Sequence, residues 1–408
     1  MFSNESLVNY AKLVLKYGVN LQNGQGLEIA CPVDCKETAR VFTSVAYQLG
    51  AKIVRVRWND DVCTKINYQH AQTDALCDIP KWFVDSKNDL VKRNFCYVAI
   101  DSEDPSLFND CDAQKLAKIN RARAKKLRWF SDAVMADQIR WCVVSVPNIA
   151  WAERVFPNSA NPMQDLTTAI ERAMRLDTPN PVSAWDEHVT ALNKRAEFLN
   201  GMNFEYLHYQ NSLGTDFTVG LCKDHVWLSA KEKSADGEYF IANMPTEEVF
   251  TAPHSQKADG IVKSALPLSY NGQIIENFSL TFKKGKVIDF SAEKGYDALK
   301  HLLETDGGTK RLGEVALIGK NSPIAKSGVL FYNTLFDENA SCHFALGKAY
   351  PTNVLGGVEK SKSELKKLGV NDSSEHVDFM IGTNDLSVVG ITHDGKKVPV
   401  FIDGEWAI

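Results

Sequence analysis

The sequence predicts a two-part α/β protein. A doubly wound, flavodoxin-like parallel sheet is expected over residues 1–192, and an α+β domain with largely antiparallel sheet over 193–408. Three observations predict it. A chain of 408 residues is too long for one ordinary hydrophobic core. In its first half, short apolar runs alternate with helical patterns, the order that builds parallel sheets covered by helices. In its second half the segments shorten and Gly-containing turns stand at hairpin spacing.

The elements follow in order. Leu7, Tyr10, Ala11, Val14 and Tyr17 recur at three and four residues, which predicts an amphipathic helix over 5–18. Asn23-Gly24 is a turn signal, and Gly26 to Pro32 reads as a strand. Lys36 to Leu49 is a second helix with Gly50 at its C-terminal cap. Ile53 to Val56, Tyr97 to Ile100 and Trp141 to Val146 complete the parallel set. Helices are predicted over 165–176 and 185–199, the second closed by Asn200-Gly201, and the domain boundary is placed there. Beyond it, strands are expected over 204–209, 217–221, 260–264, 275–282 and 286–291, with turns at Asn271-Gly272 and Lys284-Gly285. A helix over 296–304 interrupts them.

Composition narrows the class. The hydrophobic share of 44% and charged share of 24% are those of a soluble globular protein. A net charge of −5 argues against nucleic acid or an anionic membrane as partner. The basic stretch Arg121 to Arg128 reads as a solvated helix face. The 9 cysteines are scattered, without a Cys-x-x-Cys pair, and suit a reducing cytosol. The N-terminus carries no signal-peptide pattern and no run approaches the roughly 18 apolar residues of a membrane span, so a cytoplasmic protein is expected.

Glycine motifs for dinucleotides or phosphates are missing after the first strand, which makes the N-terminal half a scaffold. The chemistry is sought in the C-terminal half. Glu247 and Glu248 stand between Pro245 and Pro253. Glu314 precedes the apolar run Val315 to Ile318. His376 and Asp378 are two apart, so on a strand they face the same way. His343 and Tyr350 are seven apart, two turns of a helix if the segment is helical. Carboxylates and imidazoles without thiolates are the donor set of a hydrolytic metal site. Each residue alone reads more readily as a solvated or structural side chain. No His-Glu-x-x-His and no Gly-x-Ser-x-Gly occurs. A nucleophilic Cys342 beside His343 is disfavoured, because adjacent side chains point apart.

Three blocks resemble one family. They are Met244-Pro245-Thr246-Glu247-Glu248-Val249-Phe250-Thr251-Ala252-Pro253, the run Asn333 to Gly347 ending in Cys342-His343-Phe344-Ala345-Leu346-Gly347, and His376-Val377-Asp378-Phe379-Met380-Ile381-Gly382. They are similar to the signatures of the thermophilic aminopeptidase family, the aminopeptidase T and aminopeptidase S group of dinuclear metallopeptidases. The likeness extends over essentially the whole chain. It implies two divalent ions per chain (zinc, cobalt or manganese), held by Glu248, Glu314, His343, His376 and Asp378, with Glu338 as a further ligand. It places Tyr350 at an active-site tyrosine and implies a homodimer acting on short peptides with a free N-terminus. Glu247 is a candidate general base by adjacency to Glu248, with an outer, structural role as the alternative. The competing functions are a non-catalytic oligomeric scaffold and a metal-dependent hydrolase of non-peptide amides.

Overall fold

The computed structural model describes residues 2–102, 104–270 and 273–408. It divides into two compact units, Met1–Asp186 with Lys231–Pro245, and Glu187–Ala230 with Thr246–Ile408. The protein is a mixed α/β chain with one parallel sheet and several antiparallel ones. No helix among the described residues is long and apolar enough to cross a membrane.

In the first unit, strands β1 (Gly26–Pro32), β2 (Ile53–Asn59), β3 (Cys96–Asp101) and β4 (Trp141–Ser145) form a parallel sheet in the order β2-β1-β3-β4. β1 is buried along its whole length, as a central parallel strand must be. It carries Glu28, whose charge is met by Lys87 Nζ at 2.9 Å, with the same ammonium 4.6 Å from the Tyr97 ring centroid. The basic stretch lies on a helix, Ala113–Met135. The segment 231–245, which the sequence reading leaves in the C-terminal half, belongs to this unit. The Ile241 amide donates to Gly18 O at 2.7 Å, and Val143 and the chain at 242–244 exchange two backbone bonds of 2.8 and 3.0 Å beside β4.

The remaining strands are short, except for β10 with its 11 residues. They are β5 (Tyr206–Gln210), β6 (Asp216–Leu221), β7 (Glu232–Lys233), β8 (Tyr239–Phe240), β9 (Val249–Thr251) and β10 (Pro253–Lys263). Next come β11 (Leu268–Tyr270), β12 (Gln273–Ile275), β13 (Ser279–Lys283), β14 (Lys286–Ser291) and β15 (Leu312–Leu317). The last are β16 (His343–Gly347), β17 (His376–Met380), β18 (Ser387–Ile391), β19 (Lys397–Ile402) and β20 (Glu405–Trp406). In the second unit an eight-stranded sheet runs β14-β13-β10-β6-β5-β18-β19-β20, and a four-stranded one β17-β16-β15-β9. Lys284-Gly285 makes the β13–β14 hairpin, both residues at positive φ as a two-residue turn requires. Asn271-Gly272 lies outside the described residues. The single strand expected over 275–282 is two, broken where Asn277 takes a left-handed φ of 48°. The helix expected over 185–199 runs from Pro181 to Met202, so Gly201 lies inside it.

The two sheets of the second unit meet through aromatic rings. Phe344 of β16 lies 5.0 Å from Tyr209 and 5.3 Å from Phe217, and Phe379 of β17 lies 5.6 Å from Phe278. That leaves the opposite face of the small sheet for polar side chains.

One carboxylate fixes where β17 begins. Asp306 accepts from the Gly308 and Thr309 amides at 2.7 and 3.0 Å, from Ser373 Oγ at 2.9 Å, and from the Ser374 amide and hydroxyl at 2.7 and 2.8 Å. Burial pushes its carboxyl up, but the Ser374, Ser373 and Gly308 donors outweigh that and hold it below the usual carboxylate range. A depressed folded pKa contributes stability above the unfolded value and loses it as pH falls through the folded one. Asp306→Asn sets an amide donor against those donors and is expected to cost about 1–3 kcal/mol at neutral pH. Urea unfolding of both proteins should show the gap closing in acid. Equal stability at neutral pH would remove this role.

Candidate metal centre

Strand register decides which side chains meet. In β16–β17, His343 pairs with Met380, Ala345 with Asp378 and Gly347 with His376. In β15–β16, Ala316 pairs with His343 and Glu314 with Ala345. In β9–β15, Phe250 pairs with Ala316, and Glu248 lies two residues before Phe250. Cross-strand partners share a face and alternate residues return to it. Glu248, Glu314, His343, His376 and Asp378 therefore project from one side of one sheet. Between them stand Ala316, Ala345 and Gly347, which leave the middle of that face clear.

Glu314 reaches this face through a bulge. The pairing shifts between Leu312, opposite Leu346, and Glu314, opposite Ala345. The extra residue is Gly313, where a Cβ would sit 2.4 Å from Lys348 O. Two residues that alternation would put on one face are thus split, with Leu312 inward and Glu314 toward the cluster.

The distances form two groups sharing one carboxylate. His343 Nε2 lies 3.3 Å from Glu248 Oε2 and 3.4 Å from Glu314 Oε1. His376 Nε2 lies 3.6 Å from Glu314 Oε2 and 3.3 Å from Asp378 Oδ1. The donor atoms of Glu248, Glu314 and His343 all lie within 4.8 Å of one another, as do those of Glu314, His376 and Asp378. Two donors about 2.1 Å from one ion at a tetrahedral angle stand about 3.4 Å apart, which these separations match. Asp378 Oδ1 is buried and, among the described residues, makes no hydrogen bond. The donor set and this atom fit divalent metal.

Electrostatics point the same way. Burial pushes the Glu314 carboxyl up to about 7, with His343 pulling it down and Glu248 and Asp378 adding to the rise. Burial alone would lower the His376 imidazolium, but Asp378 and Glu314 hold it up at about 10. His343 is likewise raised against its own burial by Glu248 and Glu314. Glu338, in a short turn over Glu338–Ala340, is pushed well above its ordinary range by desolvation and by the charges of Asp378 and Glu248. Four carboxylates crowd two imidazoles, a surplus of negative charge that a cation relieves.

The remaining candidates are placed as follows. Glu338 stands beside the cluster but in neither donor group. The Tyr350 ring lies 4.9 Å from His376 and 6.2 Å from Phe250. Its position does not come from a helix: His343–Gly347 is a strand, and the chain turns after it so that Tyr350 returns to His376. Glu247 takes the opposite direction from Glu248, with Oε2 3.7 Å from His188 Nε2. The buried Cys342 thiol is pushed up to about 12 by burial and is enclosed by Ile318, whose amide lies 3.3 Å away, so it is no nucleophile. Sequence reasoning missed His188, and Asn339, whose Oδ1 accepts from the Glu247 amide at 2.7 Å. Asn339 lies within the Asn333 to Gly347 block, where it is assigned no role, and His188 lies on a helix; buried polar side chains must find partners.

Known proteins resemble this chain along its whole length. The chain is 44% identical to aminopeptidase 2 of Geobacillus stearothermophilus, over 99% of this chain and 98% of that one. It is 43% identical to aminopeptidase AmpS of Bacillus subtilis, over 99% of both. Wild-type AmpT from Thermus thermophilus superposes with a TM-score of 0.93 at 32% identity, covering 99% of each chain. A dihydroxypyridine dioxygenase from Pseudomonas putida shares the fold alone, with a TM-score of 0.56 at 14% identity. The profile of the family described as thermophilic metalloprotease (M29) matches residues 3–406, and the chain belongs to that family.

Proposed function

We propose that this protein is a metal-dependent aminopeptidase that removes N-terminal residues from short peptides, working with two divalent ions. The observation that carries the reading is Glu314, whose two oxygens face two different imidazoles. Glu248, Glu314 and His343 would hold one ion, and Glu314, His376 and Asp378 the other, with Glu338 a further ligand. Zinc, cobalt or manganese suits these donors. When bound, such a pair polarises the scissile carbonyl, lowers the pKa of water and takes the free α-amine of the substrate.

The chain's own groups divide the remaining work. Tyr350, against His376, would donate a hydrogen bond from its phenol to the oxyanion that develops on the scissile carbonyl. Glu247, turned toward His188, fits an outer, structural role better than that of general base. The N-terminal unit acts as scaffold, and the protein works as a cytoplasmic homodimer. A plain scaffold function leaves the one-sided set of acids and imidazoles, most of them buried, without a purpose.

Chelation followed by metal return tests the proposal. Activity on amino-acid p-nitroanilides and dipeptides is expected to vanish with chelator and to return with zinc, cobalt or manganese, at two ions per chain. Full peptidase activity in metal-free protein would sink it. Metal-dependent cleavage confined to non-peptide amides would redirect it.

A further inference from the structure

The His376 ring is held from behind. Its Nδ1 lies 2.7 Å from the Lys348 carbonyl oxygen. A carbonyl can only accept, so Nδ1 donates its proton there, and Nε2 is the nitrogen left to bind an ion between Glu314 and Asp378. Beside the packing of Tyr350, the orientation of this ring is set by one hydrogen-bonding carbonyl, which lies just past the end of β16.

Asn371 grips the chain on both sides of that carbonyl. It is buried, and its Nδ2 donates to Gly347 O at 2.5 Å and to Gly308 O at 2.9 Å. Its main-chain oxygen accepts from the Ala349 amide at 3.0 Å. Gly347 and Ala349 flank Lys348, whose own amide donates to Glu375 O at 2.6 Å. From the other side Gly313 closes in: a Cβ there would lie 2.4 Å from Lys348 O and 2.5 Å from Gly347 O.

We propose that Asn371 is a positioning residue for the ion held by Glu314, His376 and Asp378. It clamps the peptide units around Lys348, and the Lys348 carbonyl in turn aims His376 Nε2 at the cluster. The ion held by Glu248, Glu314 and His343 gains nothing from this clamp, because the His343 ring is backed by Ser341 O instead. The inference rests on the two-ion reading given above.

Cobalt(II) titration of the metal-free full chain, in competition with a chromophoric chelator, tests it. In Asn371→Ala one of the two binding steps is expected to weaken ~10–100-fold, as loss of an outer partner does, while the other stays unchanged. The absorption bands of the affected cobalt should shift with it. Asn371→Ser keeps one donor and should fall between alanine and wild type.

Both steps unchanged in Asn371→Ala would overturn the clamp and leave the two-ion reading standing. Both steps weakened alike, in proportion to lost stability of the metal-free fold, would also overturn it. A wild-type protein that takes up a single ion would defeat the two-ion reading. The clamp would then survive if the affinity for that ion still fell by the same factor in Asn371→Ala, and fail if it did not.

Discussion

Glu314→Gln is expected to leave no measurable turnover and to weaken both ions together. Each carboxylate oxygen faces a different imidazole, at 3.4 and 3.6 Å. Glutamine keeps the shape but presents an amide donor on one side, where a lone pair is wanted. Loss of an outer partner costs ~10–100-fold in metal affinity, and removing the shared ligand should exceed that for both sites. The metal-free fold should not suffer, because a desolvated carboxyl disappears from among like charges. Metal content, turnover and metal-free unfolding on one preparation give the answer. A variant that keeps both ions and the wild-type rate would show that Glu314 is no shared ligand.

Tyr350→Phe should lower kcat by ~10²–10³, the usual loss for one oxyanion donor. KM and metal content should hold, since the interaction is made in the transition state. The ring already packs edge-on against His376, and phenylalanine preserves that contact. A rate within about two-fold of wild type would mean that the ring serves packing alone.

Much of this site was legible in the sequence because strands alternate with a period of two. His376 and Asp378 could be put on one face from spacing alone, and the structure keeps them there. Adjacency could not tell the two carboxylates Glu247 and Glu248 apart; in the structure Glu247 meets His188 and Glu248 meets His343. The helical reading of His343 to Tyr350 failed because β-sheet pairing on both sides of β16 overrides local periodicity. The bulge at Gly313 was out of reach, since an inserted residue shows only once its partner strand is known. So was Asn371, whose role depends on carbonyls of Gly347 and Gly308 that lie far away in the chain.

The single polar face also orders events in the life of the chain. Its candidate ligands run from Glu248 to Asp378, beside β9 and on β15, β16 and β17, with the five strands β10–β14 between the first and the rest. No early fragment can hold metal the way the finished sheet does. A slip of β17 by one residue would turn His376 and Asp378 toward the aromatic side and offer Val377 and Phe379 instead. On the proposed function, an ion would bind only once this sheet is in register, so its uptake would sort correctly paired chains from mispaired ones.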